Sequence, residues 1–406
     1  MNTLIMMLYP LLSMAATGDH LVPLPLHNGE TTNGEHWGWM HPESRGGGPL
    51  EPDGAARVTP LEQDPDFKTG FFEGHVLALD AGATAVINVA DRTGASIRLL
   101  PGRTYQLAWN QGALAVDPPP IVAVYLIDQN LREVPGTRTV ETSTAIGGAG
   151  WSRRQARFTM PTGETDEGGG HMITFQNLAK ADAPRNSIAA IDKVTIAEVG
   201  ADEQGAFRSL FDGVSLEGWT GAMKGYRVRD GAIELDTSAN AWGNLYTKDE
   251  FSDFILRFEF RLTPGANNGI GIRAPLGGDA AYQGMELQVL DNNHPKYAGL
   301  KSWQYHASIY GIAPARRGYQ LPVGTWNQQE IMVEGRRVRV VLNGEVILDQ
   351  DLDEATKDGT LSEREHPGLA RTSGHIGFCG HGDEVAFRNI RVKDLGTTNA
   401  GNTPGS

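Results

Sequence analysis

Strict alternation of apolar and polar residues is the main pattern along the chain. In FILRFEFRL, residues 254–262, every second position from Phe254 is a large apolar residue, and charged residues stand at three of the four positions between them. A period of two predicts a strand with one face on a core. GMELQVLD, residues 284–291, repeats the pattern and leaves Glu286 and Gln288 on the polar face. The two stretches predict strands that each present charged or amide side chains on one face.

Short runs of this kind follow one another along the chain, and no long segment keeps the 3.6-residue period of a capped helix. RRVRVVLNGEVILD predicts a hairpin that turns at Asn343-Gly344. The other predicted strands are HVLALD, TAVINVA, SIRLL, TYQLAW, IVAVYLID, ARFTM, HMITFQ and KVTIAEV before residue 200, then FILRFEFRL, ANNGIGIRA, GMELQVLD and HIGFCGHG. The sequence therefore predicts an all-β protein.

The length of 406 residues allows two domains, each with its own core. The polar stretch ADEQGA, residues 201–206, separates a β-sandwich of the jelly-roll type over 18–200 from a second β-sandwich over 207–395. Residues 396–406 lack apolar side chains and are predicted to be disordered. Residues 1–17 combine an apolar run with small residues and predict a secretory signal, so we expect a secreted or periplasmic protein with no membrane span.

Charge and cysteine content narrow the classes of partner. The formal net charge is −14 and no long basic run occurs, which argues against a nucleic-acid partner. The single cysteine, Cys379, permits neither an internal disulfide nor a cysteine metal site. The histidines lack compact metal-ligand spacing, so we predict no cofactor and no metal ligands, while a divalent ion stays open. A neutral, sugar-like ligand suits this surface.

Several motifs of the second half occur in one order and together resemble the 3-keto-disaccharide hydrolase domain family. They are FDG at 211–213, YRVRDGAIEL, ANNGIGIR, GMELQVLD, IYG at 309–311, TWN at 325–327, LNG at 342–344, HIGFCGHG and FRNIRV at 387–392. The resemblance implies a concanavalin-like sandwich of two curved sheets, a groove on the concave face and action on glycosides oxidised at C3. His381 matches the family's late histidine, but Cys379 and Gly380 replace the usual amide and acidic residues before it.

The first half resembles, more loosely, the galactose-binding-type jelly rolls that serve as carbohydrate-binding modules. LLPGRTYQLAW, a late aromatic strand and the closing IDKVTIAEV carry this resemblance. Trp37, Trp39, Trp109 and Trp151 are candidates for sugar-stacking platforms. A place in the core is the more frequent use of such residues, and we expect it for most of them.

The polar faces of three predicted strands supply a candidate site, since Glu259, Arg273, Glu286 and Gln288 converge on one groove if these strands lie side by side. Further predicted substrate-binding residues are Asn268, Asp291 and Tyr310. Carboxylates and amides exchange hydrogen bonds with sugar hydroxyls, and arginine donates in a fixed fork. An ion pair between Arg257 and Glu259 is the alternative for that end of the site.

Two reactions fit these residue types. Ordinary glycoside hydrolysis needs two carboxylates, for which Glu259 and Glu286 are the pair. A 3-keto sugar has an acidic C2 hydrogen, so a base can form an enolate and the C1 substituent then leaves. In that scheme Glu286 or His381 serves as base and acid, and Arg273 stabilises the enolate.

We therefore predict a secreted protein that cleaves 3-keto glycosides or disaccharides, with an oligosaccharide or glycoside as its partner. A non-catalytic, lectin-like glycan-binding protein is the alternative, because both predicted folds also serve sugar binding alone. An adhesion or scaffold role is a third possibility and predicts no enclosed polar groove. The glycosidic linkage, the leaving group, the ligand of the first domain and the oligomeric state stay open.

Overall fold

A computed structural model describes residues 20–24, 26, 39–40, 50, 53–60, 75–90, 96–146, 151–162, 170–200, 207–239, 241 and 243–396. The predicted signal segment 1–17, Trp37, the stretch 201–206 and the predicted tail beyond residue 396 lie outside these ranges. No helix among the described residues is long and apolar enough to cross a membrane.

The first half of the described chain is built from strands with one short 3₁₀ turn, Pro184–Asn186. Its strands are β1 His20–Pro23, β2 Trp39–Met40, β3 Ala56–Pro60, β4 His75–Leu79, β5 Thr84–Asn88, β6 Thr104–Val116, β7 Ile121–Ile127, β8 Thr139–Thr142, β9 Ser152–Thr159, β10 Met172–Asn177 and β11 Ser187–Gly200. They form two antiparallel sheets, one in the order β3-β4-β11-β6-β9 with β1 added to β11, the other in the order β2-β5-β10-β7-β8.

The described residues of the second half form thirteen further strands. They are β12 Arg208–Ser209, β13 Trp219–Gly221, β14 Tyr226–Arg229, β15 Ala232–Leu235, β16 Asn244–Phe251, β17 Phe254–Leu262, β18 Asn267–Ala274, β19 Met285–Leu290, β20 Asn327–Glu334, β21 Arg337–Leu342, β22 Glu345–Asp351, β23 Gly374–Cys379 and β24 Val385–Asp394. Two short helices join them, α1 Ala280–Gln283 and α2 Leu352–Thr356. Single 3₁₀ turns lie at Met223–Gly225, Thr237–Ala239, Pro295–Tyr297, Ser302–Gln304 and Pro367–Ala370.

Two antiparallel sheets face each other across the core of this half. The larger runs β14-β15-β24-β17-β20-β21-β22, with β12 added to β24, and the smaller runs β13-β16-β23-β18-β19. Apolar residues of both sheets, such as Phe258 and Ile270, belong to one buried cluster. A separate buried cluster, which includes Trp39 and Trp109, fills the space between the sheets of the first half. The predicted all-β class is confirmed, with a two-sheet sandwich in each half.

The sequence predicted strands correctly where the alternation of apolar and polar residues is strongest. In β17 buried and partly exposed residues alternate over all nine positions, as predicted. The hairpin of β21 and β22 turns at Asn343 and Gly344, both with positive φ, as a two-residue type I′ turn requires. SIRLL is the exception, since only Ser96 makes a bridge, to Ala90, and the residues that follow it belong to no strand.

The two halves touch through buried cations and a hairpin tip. Lys193 of β11 is 1% exposed and donates from Nζ to the carbonyl oxygen of Arg317. A Cβ at Gly344 would lie 2.7 Å from Cβ of Ala197, so the tip of the hairpin is in close contact with β11. The described parts of the halves therefore share an interface; their division near 201–206 stays a prediction.

Candidate functional site

Glu286 and Gln288 lie in the middle of β19, on the face of the smaller sheet that points away from the core. Leu287, between them, is in the buried cluster, and side chains alternate across a strand. Both polar residues are nevertheless only 5% exposed, so neighbouring segments cover this face. A carboxylate and an amide with so little exposed surface need partners or a ligand.

Glycines make room for the side chains on this face. Across the sheet, Glu286 pairs with Gly271, Gly271 with Gly377, and Gly377 with Tyr246. A Cβ at Gly377 would lie 2.5 Å from Cδ1 of Tyr246, so the ring lies over that glycine. A Cβ at Gly269 would lie only 1.7 Å from Oε1 of Glu286. The Glu286 carboxylate therefore occupies the space above Gly269 that an open groove would leave for a ligand.

The Glu286 carboxylate faces His381. Its Oε1 lies 3.6 Å from His381 Nε2 and has no hydrogen-bond partner of normal length among the described residues. Burial raises the pKa of the Glu286 carboxyl, and the interaction with His381 offsets part of that rise. The same interaction raises the pKa of His381, whose side chain is 47% exposed. The pair thus combines a carboxylate that readily takes a proton with an imidazole that readily holds one.

Two amides extend the polar row beside this pair. Gln288 Nε2 donates to Asn267 Oδ1 at 2.6 Å, and the backbone N–H of Asn267 donates to Asp383 Oδ2 at 3.1 Å. Tyr246, under which Gly377 lies, accepts a hydrogen bond from Asn244 Nδ2 at 2.8 Å. These groups offer fixed donors and acceptors to a ligand over the sheet.

Aromatic side chains border the outer edge of β19, where residues 307–310 hydrogen-bond to it. Leu287 bridges to Ile309, which puts Tyr310 opposite Glu286, and opposite residues of an antiparallel pair share a face. Tyr310 packs edge-on against Trp303, with ring centroids 5.0 Å apart, and against Tyr282 at 6.3 Å. The Tyr310 hydroxyl accepts from Gln304 Nε2 at 3.1 Å. Trp303 and Tyr310 are partly exposed, and ligand sites commonly combine aromatic side chains with a few placed polar groups.

Cys379 and Gly380 lie beside this face. The Cys379 thiol is buried, its Sγ would be 3.4 Å from a Cβ at Gly271, and burial raises its pKa. At Gly380 a Cβ would lie 2.5 Å from the carbonyl oxygen of Gly243 and 2.7 Å from the Tyr226 hydroxyl. The backbone therefore leaves no room for the acidic side chain that the resemblance implies at position 380.

Glu259 does not join the site, so that prediction is wrong. It lies on β17, in the larger sheet, whereas Glu286 lies in the smaller one. Its carboxylate accepts from Arg388 Nε at 2.7 Å and from Asn389 Nδ2 at 3.0 Å. The alternative ion pair is also wrong, because Arg257 Nε donates to Glu330 at 2.7 Å instead. Strand alternation identified the face of Glu259 correctly, but not the sheet.

Arg273 is turned away from Glu286 by a bulge. Gly271 pairs with Gly377 and Ala274 with His375, so β18 has one extra residue there, and Arg273 has φ +48°. Ala274 takes the face that alternation predicts for Arg273: its Cβ lies 3.5 Å from a Cβ at Gly271. The Arg273 guanidinium binds the carbonyl oxygen of Ser252 at 3.0 Å and Asp253 Oδ1 at 2.9 Å.

Asn268 and Asp291 are also placed apart from the Glu286 carboxylate. Asn268 is 0% exposed on the inner face of β18, in line with Ile270 and Ile272, where substrate has no access. Asp291 follows β19 and organises its own loop, accepting from the backbone N–H groups of Gly265 at 2.8 Å and Asn293 at 3.2 Å. Of the predicted residues, the structure brings together Glu286, His381, Gln288 and Tyr310.

Among the residues of this site, Tyr246, Asn267 and Trp303 were not predicted. Asn267 could have been predicted, because the alternation puts it on the same face as Gly269 and Gly271. Trp303 lies in the 3₁₀ turn Ser302–Gln304, where no periodic pattern reveals a face. The described residues contain no group of three or more His, Cys, Asp and Glu side chains placed to hold a metal ion.

Comparison with known proteins bears on the half of the chain that carries this face. Residues 206–393 match the family described as 3-keto-alpha-glucoside-1,2-lyase-like domain. A protein of Bacteroides thetaiotaomicron named 3-keto-disaccharide hydrolase is 32% identical over 228 residues, covering 46% of this chain and 78% of that protein. The chain belongs to the 3-keto-disaccharide hydrolase family. This membership places it among carbohydrate-active proteins and confirms the resemblance read from the motifs.

Solved structures also match parts of the chain. A putative glycosyl hydrolase of Parabacteroides distasonis is 27% identical, with a TM-score of 0.42, covering 47% of this chain and 99% of that one. The carbohydrate-binding module CBM66 of Bacillus subtilis is 13% identical, with a TM-score of 0.30, covering 44% of this chain and 96% of that one. The family match over residues 206–393 includes both Glu286 and His381.

Proposed function

We propose that the Glu286 face cleaves the glycosidic bond of 3-keto glycosides or 3-keto disaccharides. The observation that carries the proposal is the buried Glu286 carboxylate, whose Oε1 has no hydrogen-bond partner of normal length among the described residues and faces His381 Nε2 at 3.6 Å. Burial away from water raises the pKa of a carboxyl group, which makes its carboxylate a stronger base, and groups with such shifted pKa values cluster at functional sites.

The proposed reaction begins at C2 of the oxidised sugar. Glu286 takes the C2 proton, and the electrons of that C–H bond move into the C3 carbonyl to form an enolate. The C1–oxygen bond then breaks, and the leaving oxygen receives a proton from His381, whose pKa is raised by its interaction with Glu286. Water can add across the resulting double bond, which makes the net reaction a hydrolysis.

The enolate oxygen needs a donor other than Arg273, whose guanidinium is bound to Ser252 and Asp253. Tyr246 and Gln288 are neutral donors of this face, and burial, with a smaller contribution from the charge of Glu286, raises the pKa of the Tyr246 hydroxyl. A hydrolysis with two carboxylates, by contrast, loses Glu259 as its second member because Glu259 lies in the other sheet.

Solvent deuterium provides the test. In D₂O the parent should release the leaving group from 3-keto glucosides and incorporate deuterium at C2, and it should leave the unoxidised disaccharides intact. Glu286→Gln keeps the shape but removes the base, and turnover should fall by about 10²- to 10⁴-fold. Glu259→Gln, the matched control in the other sheet, should retain parental turnover.

Two results would reject the proposal in different ways. Parental turnover in Glu286→Gln would remove Glu286 as the base and make His381 the candidate. A parent that binds sugars but converts neither oxidised nor ordinary disaccharides would favour the lectin-like function. Secretion or a periplasmic location stays a proposal that rests on residues 1–17 alone.

A further inference from the structure

Residues 315–321, here called the linking segment, contact both the first half and β19. Ala315, at the start of the segment, donates from its backbone N–H to Ser308 Oγ at 3.0 Å, and the N–H of Leu321, at its end, donates to Asn327 Oδ1 at 2.8 Å. Both ends are therefore fixed within the second half. The segment belongs to no strand or helix, so its position depends on contacts of this kind.

The first half holds the linking segment with Lys193, whose backbone is strained. Lys193 has φ +47°, a conformation that costs free energy in residues other than glycine. The pairing of β11 with β6 shifts register between Asp192 and Thr195, so β11 has an extra residue there, and a bulge of this kind re-aims a side chain. Lys193 is 1% exposed, and its Nζ donates to the carbonyl oxygen of Arg317. Backbone strain and a buried charge both cost stability, and strain of this kind clusters at functional sites.

Gln320 connects the linking segment to the end of β19. Gln320 is 6% exposed; its Nε2 donates to the carbonyl oxygen of Leu290 at 2.7 Å, and its Oε1 accepts from the backbone N–H of Asn292 at 3.2 Å. One side-chain amide therefore holds the chain on both sides of Asp291. Leu290 is the last residue of β19 and follows Glu286 by four residues, which corresponds to about 13 Å along a strand.

Arg317 makes a second connection, to the segment that borders β19. Its Cζ lies 4.3 Å from the centre of the Tyr305 ring. Shortly after this tyrosine, residues 307–310 hydrogen-bond to β19, and the backbone N–H of Tyr310 donates to the carbonyl oxygen of Glu286 at 2.8 Å. Arg317 therefore contacts the first half through its carbonyl oxygen and the segment beside β19 through its guanidinium.

We propose that the first half positions Glu286 through the linking segment. Lys193 fixes the segment at Arg317, and Gln320, three residues further on, fixes the end of β19. β19 is the last strand of the smaller sheet, and strands with few neighbours open more readily than central ones. Lys193 and Gln320 are thus positioning residues that act through the backbone of β19. Their effect on catalysis rests on the function proposed above, whereas their effect on the opening of β19 does not.

Hydrogen exchange of the full-length protein measures the opening of β19 without turnover. Lys193→Met and Gln320→Met retain an unbranched side chain and remove its hydrogen bonds. Each should speed exchange of the amides of residues 285–292 about tenfold or more, while the amides of β17, in the other sheet, keep parental rates. Arg57→Met is the matched control, because it removes the 2.7 Å ion pair of Arg57 with Asp80 inside the first half, and it should leave residues 285–292 at parental rates.

Kinetics with a 3-keto glucoside test the consequence for catalysis. Lys193→Met and Gln320→Met should each lower kcat about tenfold or more with little change in KM, because a displaced base weakens the transition state and not substrate binding. The double variant should lose no more than the more impaired single variant, since both residues act through one segment. Arg57→Met should keep the parental kcat.

The two measurements separate failure of this inference from failure of the proposed function. A parent that converts no 3-keto glucoside rejects the proposed function, and the exchange rates alone then decide the inference. Parental exchange at residues 285–292 in both variants overturns it, and so does a parental kcat in variants whose exchange has risen. Gln320→Met acts at the other end of the linking segment and covers the case in which Lys193→Met does not fold.

Discussion

The position of the Glu286 carboxylate depends on the absence of a side chain at Gly269. A Cβ there would lie 1.7 Å from Oε1, whereas a Cβ at Gly271 would meet nothing closer than 3.4 Å, at Cys379 Sγ. Neither glycine has a positive φ, so alanine fits the backbone at both positions. The two glycines of β18 therefore form a matched pair, of which only one determines where the carboxylate lies.

We expect Gly269→Ala to fold and to lose about 10²-fold in kcat/KM, because a displacement of roughly 1 Å of a catalytic group costs that much. Gly271→Ala should keep near-parental activity. Initial rates with a 3-keto glucoside, together with circular dichroism, provide the measurement. Equal activities of the two variants would show that the position of the Glu286 carboxylate does not limit the reaction.

Glu286 should also make the protein less stable as pH rises. Because its folded pKa is raised above the unfolded value, the folded state binds the proton more tightly, and the stability this provides below the unfolded pKa is lost as pH rises through the folded one. Glu286→Gln removes the buried charge, so its Tm should exceed that of the parent at about pH 8 and the gap should close near pH 4. A Tm deficit that grows toward pH 8 would contradict this assignment.

At the scale of elements, the bulge in β18 gives Arg273 a structural role. The guanidinium joins the end of β18 to Ser252 and Asp253, between β16 and β17, and Asp253 Oδ1 also accepts from the backbone N–H of Gly335. Arg273→Ala should lower the free energy of unfolding by about 1.5–3 kcal/mol, the usual cost of a lost charged hydrogen bond. Its kcat/KM, measured well below Tm, should match the parent.

Arg337→Ala is the control for this loss of stability. Arg337 pairs with Asp349 at 2.7 Å on the exposed surface, where an ion pair contributes about 0–1 kcal/mol. Urea denaturation of both variants gives the comparison. A large loss of kcat/KM in folded Arg273→Ala, with little loss of stability, would restore Arg273 to the chemistry.

Individual strands could be predicted from local alternation of apolar and polar residues. The neighbours of each strand in its sheet could not be predicted in this way. Alternation gave β17 and β19 with the correct faces, and with them Glu286 and Gln288. It could not show that Glu259 belongs to the opposite sheet, because strand order depends on contacts between distant residues. The bulge that reverses Arg273 likewise depends on the pairing of β18 with β23 and leaves no mark in the alternation.

At the scale of the whole molecule, the two halves meet around Tyr319. Its ring lies 5.1 Å from Arg153 Cζ and 5.2 Å from Lys193 Nζ, both of the first half, and 5.1 Å from Arg316 Cζ of the second. Lys193 and Arg153 are 1% and 2% exposed. Separation of the halves would expose two buried cations to water and remove their contacts with the ring.

Limited proteolysis at residues 201–206 should therefore yield two folded pieces that still elute together from a sizing column. Tyr319→Ala removes the shared ring, and the pieces of this variant should elute separately after the same cut. Trp326→Ala is the control and should not release them, because it removes a ring in contact with Arg261 and Arg388, both of the second half. Separate elution of the parental pieces would show that this interface does not hold them together.

The hairpin tip at Asn343-Gly344 also bears on the chemical degradation of the protein over time. Asn-Gly is the dipeptide most prone to deamidation, because the glycine N–H can attack the asparagine amide with little hindrance. Here Asn343 is 3% exposed, its Nδ2 donates to the carbonyl oxygen of Tyr319 at 2.8 Å, and its Oδ1 accepts from the backbone N–H of Gln328 at 2.9 Å. Those bonds hold the amide away from the geometry of cyclisation. The fold thereby protects the Asn343 side-chain amide from deamidation at the contact between the two halves. Deamidation there would begin only in molecules in which this contact has already opened.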